Sequence, residues 1–176
     1  MAAIVDWGDR ELRLTDHVSV LVGDDNGKYP SGNSLVVRGD GEAVIIDPSV
    51  DVVSMGGAPV RVDAVINSHS HEDHLPGNGL FADSRVHIHH DDLPGAQSLD
   101  GLMDVYGLQG ETRTDFAAQI LEEFHYQPRP DAEGFADGHV WSLGGVDVEA
   151  THRPRRRRGA VVQAAGSVSR PAHEFS

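Results

Sequence analysis

With 176 residues, 39% of them hydrophobic, the chain is long enough to bury one core and too short for two ordinary domains. A net charge of −14 disfavours nonspecific nucleic-acid binding, which needs clustered Lys and Arg, and the absence of cysteine excludes disulfides and thiolate metal sites. No run of about eighteen apolar residues is present to span a bilayer, and the start Met1-Ala2-Ala3-Ile4-Val5-Asp6 lacks the basic and apolar stretches of a secretion signal, so a cytoplasmic protein is expected.

Val18 to Val22, Ser34 to Val37 and Ala43 to Ile46 are β-rich runs, and Arg38-Gly39-Asp40-Gly41-Glu42 between the last two carries an Asp-Gly hairpin signal. They predict an antiparallel meander. Val62 to Ile66 reads as a buried strand and Arg85 to His89 as a half-buried one, with a short helix expected between them from Gly77 to Phe81. The stretch from Asp91 to about Gly110 has no firm periodicity. Thr114 to Phe124 predicts an amphipathic helix, with Phe116, Ile120 and Phe124 on one face and Thr114 or Asp115 as its cap. Val140 to Leu143 and Val146 to Val148 form a further hairpin about Gly144-Gly145. Alternating strands and helices with antiparallel pairs argue for a mixed α/β sandwich.

The chemistry concentrates in His69-Ser70-His71-Glu72-Asp73-His74, directly after the apolar run that ends at Ile66. Imidazole nitrogen and carboxylate oxygen suit zinc, and also iron or manganese. In an extended segment alternate side chains share a side, so His69, His71 and Asp73 are expected to converge while His74 points elsewhere after the turn. Glu72, between these residues, reads as solvent-facing. His87, His89 and His90 tempt a second metal site, but the strand sends His87 and His89 to one side and His90 to the other, and the ordinary reading is preferred. His125 and His139 read as ordinary histidines.

The pattern His-x-His-x-Asp-His, after a strand ending in Asn67-Ser68 and before Leu75-Pro76-Gly77, resembles the signature of the metallo-β-lactamase-fold hydrolases. Gly32 to Val37 followed by Ala43 to Pro48 is similar to that family's early hairpin, and Asp137 to Thr151 to its later one, so the resemblance covers roughly residues 15 to 154. It implies an αβ/βα sandwich, mainly its first half. It also implies zinc as cofactor, one or two ions, with iron or manganese as alternatives. By position, His69 and His71 would hold one metal and Asp73 and His74 a second, with a metal-bound hydroxide as nucleophile and Asp73 orienting it. Asp47 would support the loop by accepting the remaining N–H of a metal-binding imidazole. The implied substrate is a small molecule, an ester, thioester, lactone or relative, with no membrane and no nucleic-acid partner. Two alternatives stand beside the hydrolase: an iron-dependent redox relative, and a noncatalytic fragment.

The chain departs from the family pattern where a third ligand histidine is due. Thr151-His152-Arg153-Pro154-Arg155-Arg156 places an arginine near that position, and His152 sits a few residues early as a substitute ligand. The charge breaks at the same place. Residues 1–150 hold 27 acids and 8 bases, a net of −19, whereas 151–176 hold 1 acid and 6 bases, a net of +5. We therefore expect an incomplete domain over residues 1–152 and a disordered basic and Ala-Ser-rich tail over 153–176, produced by truncation or a shifted reading frame. One synonymous coding of His152 to Arg156, read a base later, gives Thr-Gly-His-Ala. Sequencing of the underlying DNA should show a neighbouring frame encoding a His-containing turn followed by further strands, and a frame without them defeats the expectation.

Overall fold

Alternation along the strands sorts the apolar side chains to two sides of one large sheet, and that sorting fixes the layers. The computed structural model describes residues 2–152 and the strand at 160–166. Its elements are β1 (Ala3–Ile4), β2 (Glu11–Arg13), β3 (Val18–Leu21), the single turn α1 (Asp24–Gly27), β4 (Ser34–Arg38), β5 (Ala43–Ile46), α2 (Val50–Met55) and β6 (Gly57–Ala58). There follow β7 (Ala64–Asn67), β8 (Arg85–His89), α3 (Leu93–Gln97), α4 (Leu99–Tyr106), α5 (Gly110–Glu123), β9 (Glu133–Phe135), β10 (Val140–Ser142), β11 (Val146–His152) and β12 (Ala160–Gly166).

The main sheet has seven strands in the order β2-β3-β4-β5-β7-β8-β9, antiparallel from β2 to β5 and parallel from β5 to β9. The predicted meander is therefore present, and the Asp-Gly turn joins β4 to β5. Val36, Ile45, Val65, Val86 and Ile88 face a helical layer that contributes Leu102, Met103 and Ile120. From the opposite side Val37, Val44, Ile46, Ala64 and Ile66 meet a second sheet, β10-β11-β12, through Trp141, Leu143, Val146 and Val148. This is the expected α/β sandwich. Along β11 the buried Val146, Val148 and Ala150 alternate with exposed Asp147 and Glu149, so this strand turns acidic side chains outward.

The structure corrects several local expectations. The helix predicted from Thr114 begins four residues earlier, with Gln109 rather than Thr114 or Asp115 as its N-cap; Ile120 and Phe124 are buried as expected and Phe116 partly so. Gly77 to Phe81 yields only a 3-10 turn at Pro76–Asn78. The aperiodic stretch after Asp91 holds α3 and α4; the Ser98 side chain caps α4 by accepting the Gly101 N–H at 3.0 Å, and Gly107 ends it in the left-handed conformation. Ala160–Gly166, on the tail side of the division expected at residue 152, pairs antiparallel with β11. The rest of that tail lies outside the described residues. Among the described residues no helix is long and apolar enough to cross a membrane.

His87 and His89 pack as core residues between the sheets, their rings 5.7 Å from Trp141 and 5.9 Å from Phe135. Burial holds the His87 pKa below the ordinary imidazole value despite nearby Glu133.

The two sheets are joined at one end by their hairpin turns. Asp40 N–H donates to the Gly144 carbonyl at 2.8 Å, and Gly41 N–H to the Leu143 carbonyl at 3.1 Å. Gly39 is required there, because a Cβ would overlap the Leu143 carbonyl. Gly39→Ala should lower unfolding free energy by about 1–3 kcal/mol in urea titrations, while Ser142→Ala on the exposed side of β10 should stay within about 0.5 kcal/mol.

Candidate functional site

Parallel strands deliver their following loops to one end of a sheet, the usual place for a site in such folds. β5 and β7 are parallel neighbours in register from Val44 opposite Ala64 to Ile46 opposite Ile66, so Asp47 comes level with Asn67, beside the loop that starts at Ser68. The main chain of Asp47 has φ 50°, a left-handed conformation that Asp tolerates better than most residues, and its N–H donates to the Ile66 carbonyl at 3.1 Å. That twist turns its carboxylate onto the following loop. Oδ1 accepts the Ser68 backbone N–H at 2.7 Å, and Oδ2 lies 3.0 Å from Nδ1 of His74, an ionic contact off the straight hydrogen-bond line.

The loop is held from other directions as well. Asn67 and Asn78 exchange amide hydrogen bonds at 3.2 and 2.8 Å, and Asn67 Nδ2 also donates to the His74 carbonyl at 2.8 Å. The buried Ser70 hydroxyl donates to Asp92 at 2.9 Å. Gly77 packs against Pro48, and its N–H donates to the Pro48 carbonyl at 2.9 Å, which ties the end of the motif back to the end of β5.

On this frame the imidazoles gather. The His69 ring lies 4.4 Å from that of His71 and 4.0 Å from that of His74, centroid to centroid. His74, expected to point elsewhere, is folded back over His69 by the turn at 72–74, closed by His74 N–H to the His71 carbonyl at 3.1 Å. Asp73 Oδ1 stands 3.5 Å from His74 Nε2. Glu72 does not face solvent freely, because its carboxylate accepts hydrogen bonds from the hydroxyls of Tyr29 and Tyr106. His152 ends β11, and its side chain lies outside the described part.

Electrostatics divide the three imidazoles. Burial, with the neighbouring His74 and His71, pushes the His69 pKa down to about 4, against an ordinary value of about 6.5. For His74, burial also opposes the charge, but the Asp47 carboxylate outweighs it, with Asp73 and Glu72 adding to the effect, and the pKa is raised. At neutral pH the His69 ring is thus uncharged, the form in which imidazole binds a cation.

A donor set of imidazole nitrogens and carboxylate oxygen suits zinc, iron or manganese in kind. In arrangement it is not closed: among the described residues no group of three or more His, Asp and Glu side chains is set so as to hold a metal ion.

The sequence profile of the metallo-beta-lactamase superfamily matches residues 27–167. The chain belongs to the metallo-beta-lactamase superfamily. Its match runs past the charge break at 151 and through β12. Among solved structures, a subclass B3 metallo-beta-lactamase from a soil metagenome library is 18% identical, with a TM-score of 0.59 over 93% of this chain and 61% of that one. An archaeal metallo-beta-lactamase superfamily protein from Sulfolobus tokodaii is 18% identical, with a TM-score of 0.54 over 75% of this chain and 54% of that one. A metallo-beta-lactamase family protein from Thermus thermophilus is 15% identical, with a TM-score of 0.58 over 85% of this chain and 56% of that one. At these identities the likeness is one of fold, and this superfamily member spans only 54% to 61% of the length of those three chains. No curated protein matches it.

Without metal, the low His69 pKa makes the folded chain sensitive to acid. Between about pH 6.5 and 4 the unfolded state takes a proton at His69 that the folded state refuses, so stability falls as pH drops through that window. His74 has the opposite sign; its contribution is full below about pH 6.5 and lost as pH rises through its raised pKa. Urea titrations of metal-free His69→Gln should therefore show a shallower loss of stability from pH 6.5 to 4 than the parent chain.

Proposed function

We propose that this chain is a metal-dependent hydrolase of its superfamily, using zinc, with His69, His71, Asp73 and His74 as the metal donors and Asp47 steadying His74. The observation that carries this reading is the packing of the three imidazole rings at 4.0 and 4.4 Å at the mouth of the parallel strands, with the Asp47 carboxylate against the one whose pKa is raised. A bound divalent ion would supply an acidified water and polarise a carbonyl oxygen. The chain's own part is to hold His69 neutral, to keep His74 turned inward through Asp47, and to place the Asp73 carboxylate beside them, where it can orient a water. An ester, thioester or lactone is the substrate class we assign, since such carbonyl centres need a polarised oxygen and an activated water and little else. His152 is a proposed further donor through its place at the end of β11.

A noncatalytic chain is the second reading, and the lack of a closed three-donor group among the described residues favours it. Isothermal titration with zinc separates the two. The parent chain should bind zinc tightly, and His71→Ala should abolish binding. Absence of binding by the parent chain overturns the hydrolase reading, and iron in place of zinc in the purified protein directs it to a redox relative.

A further inference from the structure

Glu72 stands between two of the proposed donors, His71 and Asp73, and both of its carboxylate oxygens are engaged. Oε1 accepts a hydrogen bond from the Tyr29 hydroxyl at 3.0 Å, and Oε2 accepts one from the Tyr106 hydroxyl. The Tyr106 oxygen in turn accepts the Glu72 backbone N–H at 3.4 Å, so a single phenol holds both the main chain and the side chain of that residue. The Tyr106 ring also lies nearly parallel to the His71 ring, centroids 5.5 Å apart and planes 20° apart. Each tyrosine is backed by α5 or its end: Phe116 meets Tyr106 edge-on at 5.0 Å, and Phe124 lies 5.9 Å from Tyr29. Three remote segments, the loop before β4, the motif loop and the last residue of α4, thus meet on one carboxylate.

A glutamate in a polar loop has no need of such partners. Water would satisfy it, and fixing its side chain costs rotamer entropy that only specific, charge-assisted hydrogen bonds offset. What the two tyrosines accomplish is to fix the backbone at position 72, and with it the directions in which the residues on either side project. The motif turn is held from its far side by Asn67 and Asp47, which act on His74 and Ser68. His71 is among the exposed residues of the loop, and the Tyr106 ring is what it rests on.

We propose that Tyr29 and Tyr106, acting through Glu72, are positioning residues that set His71 and Asp73 in place ahead of metal binding. This rests on the reading of the motif as a metal-donor loop. The test uses the whole chain, Tyr29→Phe, Tyr106→Phe and the double variant. Phenylalanine keeps the ring contacts with His71, Phe116 and Phe124 and removes only the hydroxyls. Zinc calorimetry on the double variant should show affinity reduced by about 10–100-fold at an essentially unchanged melting temperature, as expected when the groups behind metal ligands are lost. Amide exchange at residues 71–74 should accelerate in the metal-free double variant. Zinc affinity within about twofold of the parent together with unchanged exchange overturns the clamp and leaves the metal reading standing. If the parent chain takes no zinc, the metal reading fails on its own account and the proposal with it, whereas faster exchange would then mark the tyrosines as ordering the loop for some other end.

Discussion

The site depends on the two-way grip of the Asp47 carboxylate. One oxygen takes the Ser68 N–H at 2.7 Å, and the other stands 3.0 Å from His74, so a residue that ends one strand dictates the path of the chain leaving the next. The register of β5 against β7 brings those two strand ends level, and the left-handed backbone of Asp47 aims the carboxylate across the gap. Neither device works without the other. An acceptor left unpaired there, or a loop amide deprived of it, would carry the desolvation penalty of a half-buried polar group.

Around that grip the polar groups are allotted with little redundancy. Asn67 and Asn78 occupy each other, Ser70 occupies Asp92, and Glu72 occupies two tyrosines, while the His69 ring lies edge-on to that of His71 and tilted against that of His74, with its Nδ1 2.9 Å from the Ser68 hydroxyl. Burial and its neighbours strip the His69 ring of proton affinity, whereas Asp47 raises that of His74, so the cluster sets a neutral imidazole beside one that favours its proton.

Much of this is legible in the sequence because the governing contacts are local or periodic. The meander from Val18 to Ile46 shows in alternation and an Asp-Gly turn, and the strand before the motif shows in Ala64-Val65-Ile66, whose side chains are all buried. Asp47 can be named because a strand-end carboxylate beside a histidine loop has an obvious use. The elements that escape are those made by tertiary contact. Helices α3 and α4 are short and interrupted by Gly and Pro, and they owe their place to close approaches, Gly95 upon Ser70 and Gly101 upon the Pro94 carbonyl, that leave no periodic trace. Glu72 reads as solvent-facing for a similar reason, since its partners lie 43 and 34 positions away. The inward swing of His74 follows from a tight turn that breaks simple alternation.

The union of the hairpin turns at Gly39 and Leu143 also sets how the two sheets face each other. Both β5 and β11 start from that seam, and β5 ends at the carboxylate of Asp47, so the stacked sheets are riveted at the end farthest from the histidines. Away from the seam, among the described residues, the facing sheets are held by apolar packing alone, Val44, Ile46 and Ile66 against Trp141, Val146 and Val148, so backbone hydrogen bonds orient one end of the sandwich and burial of side chains secures the remainder.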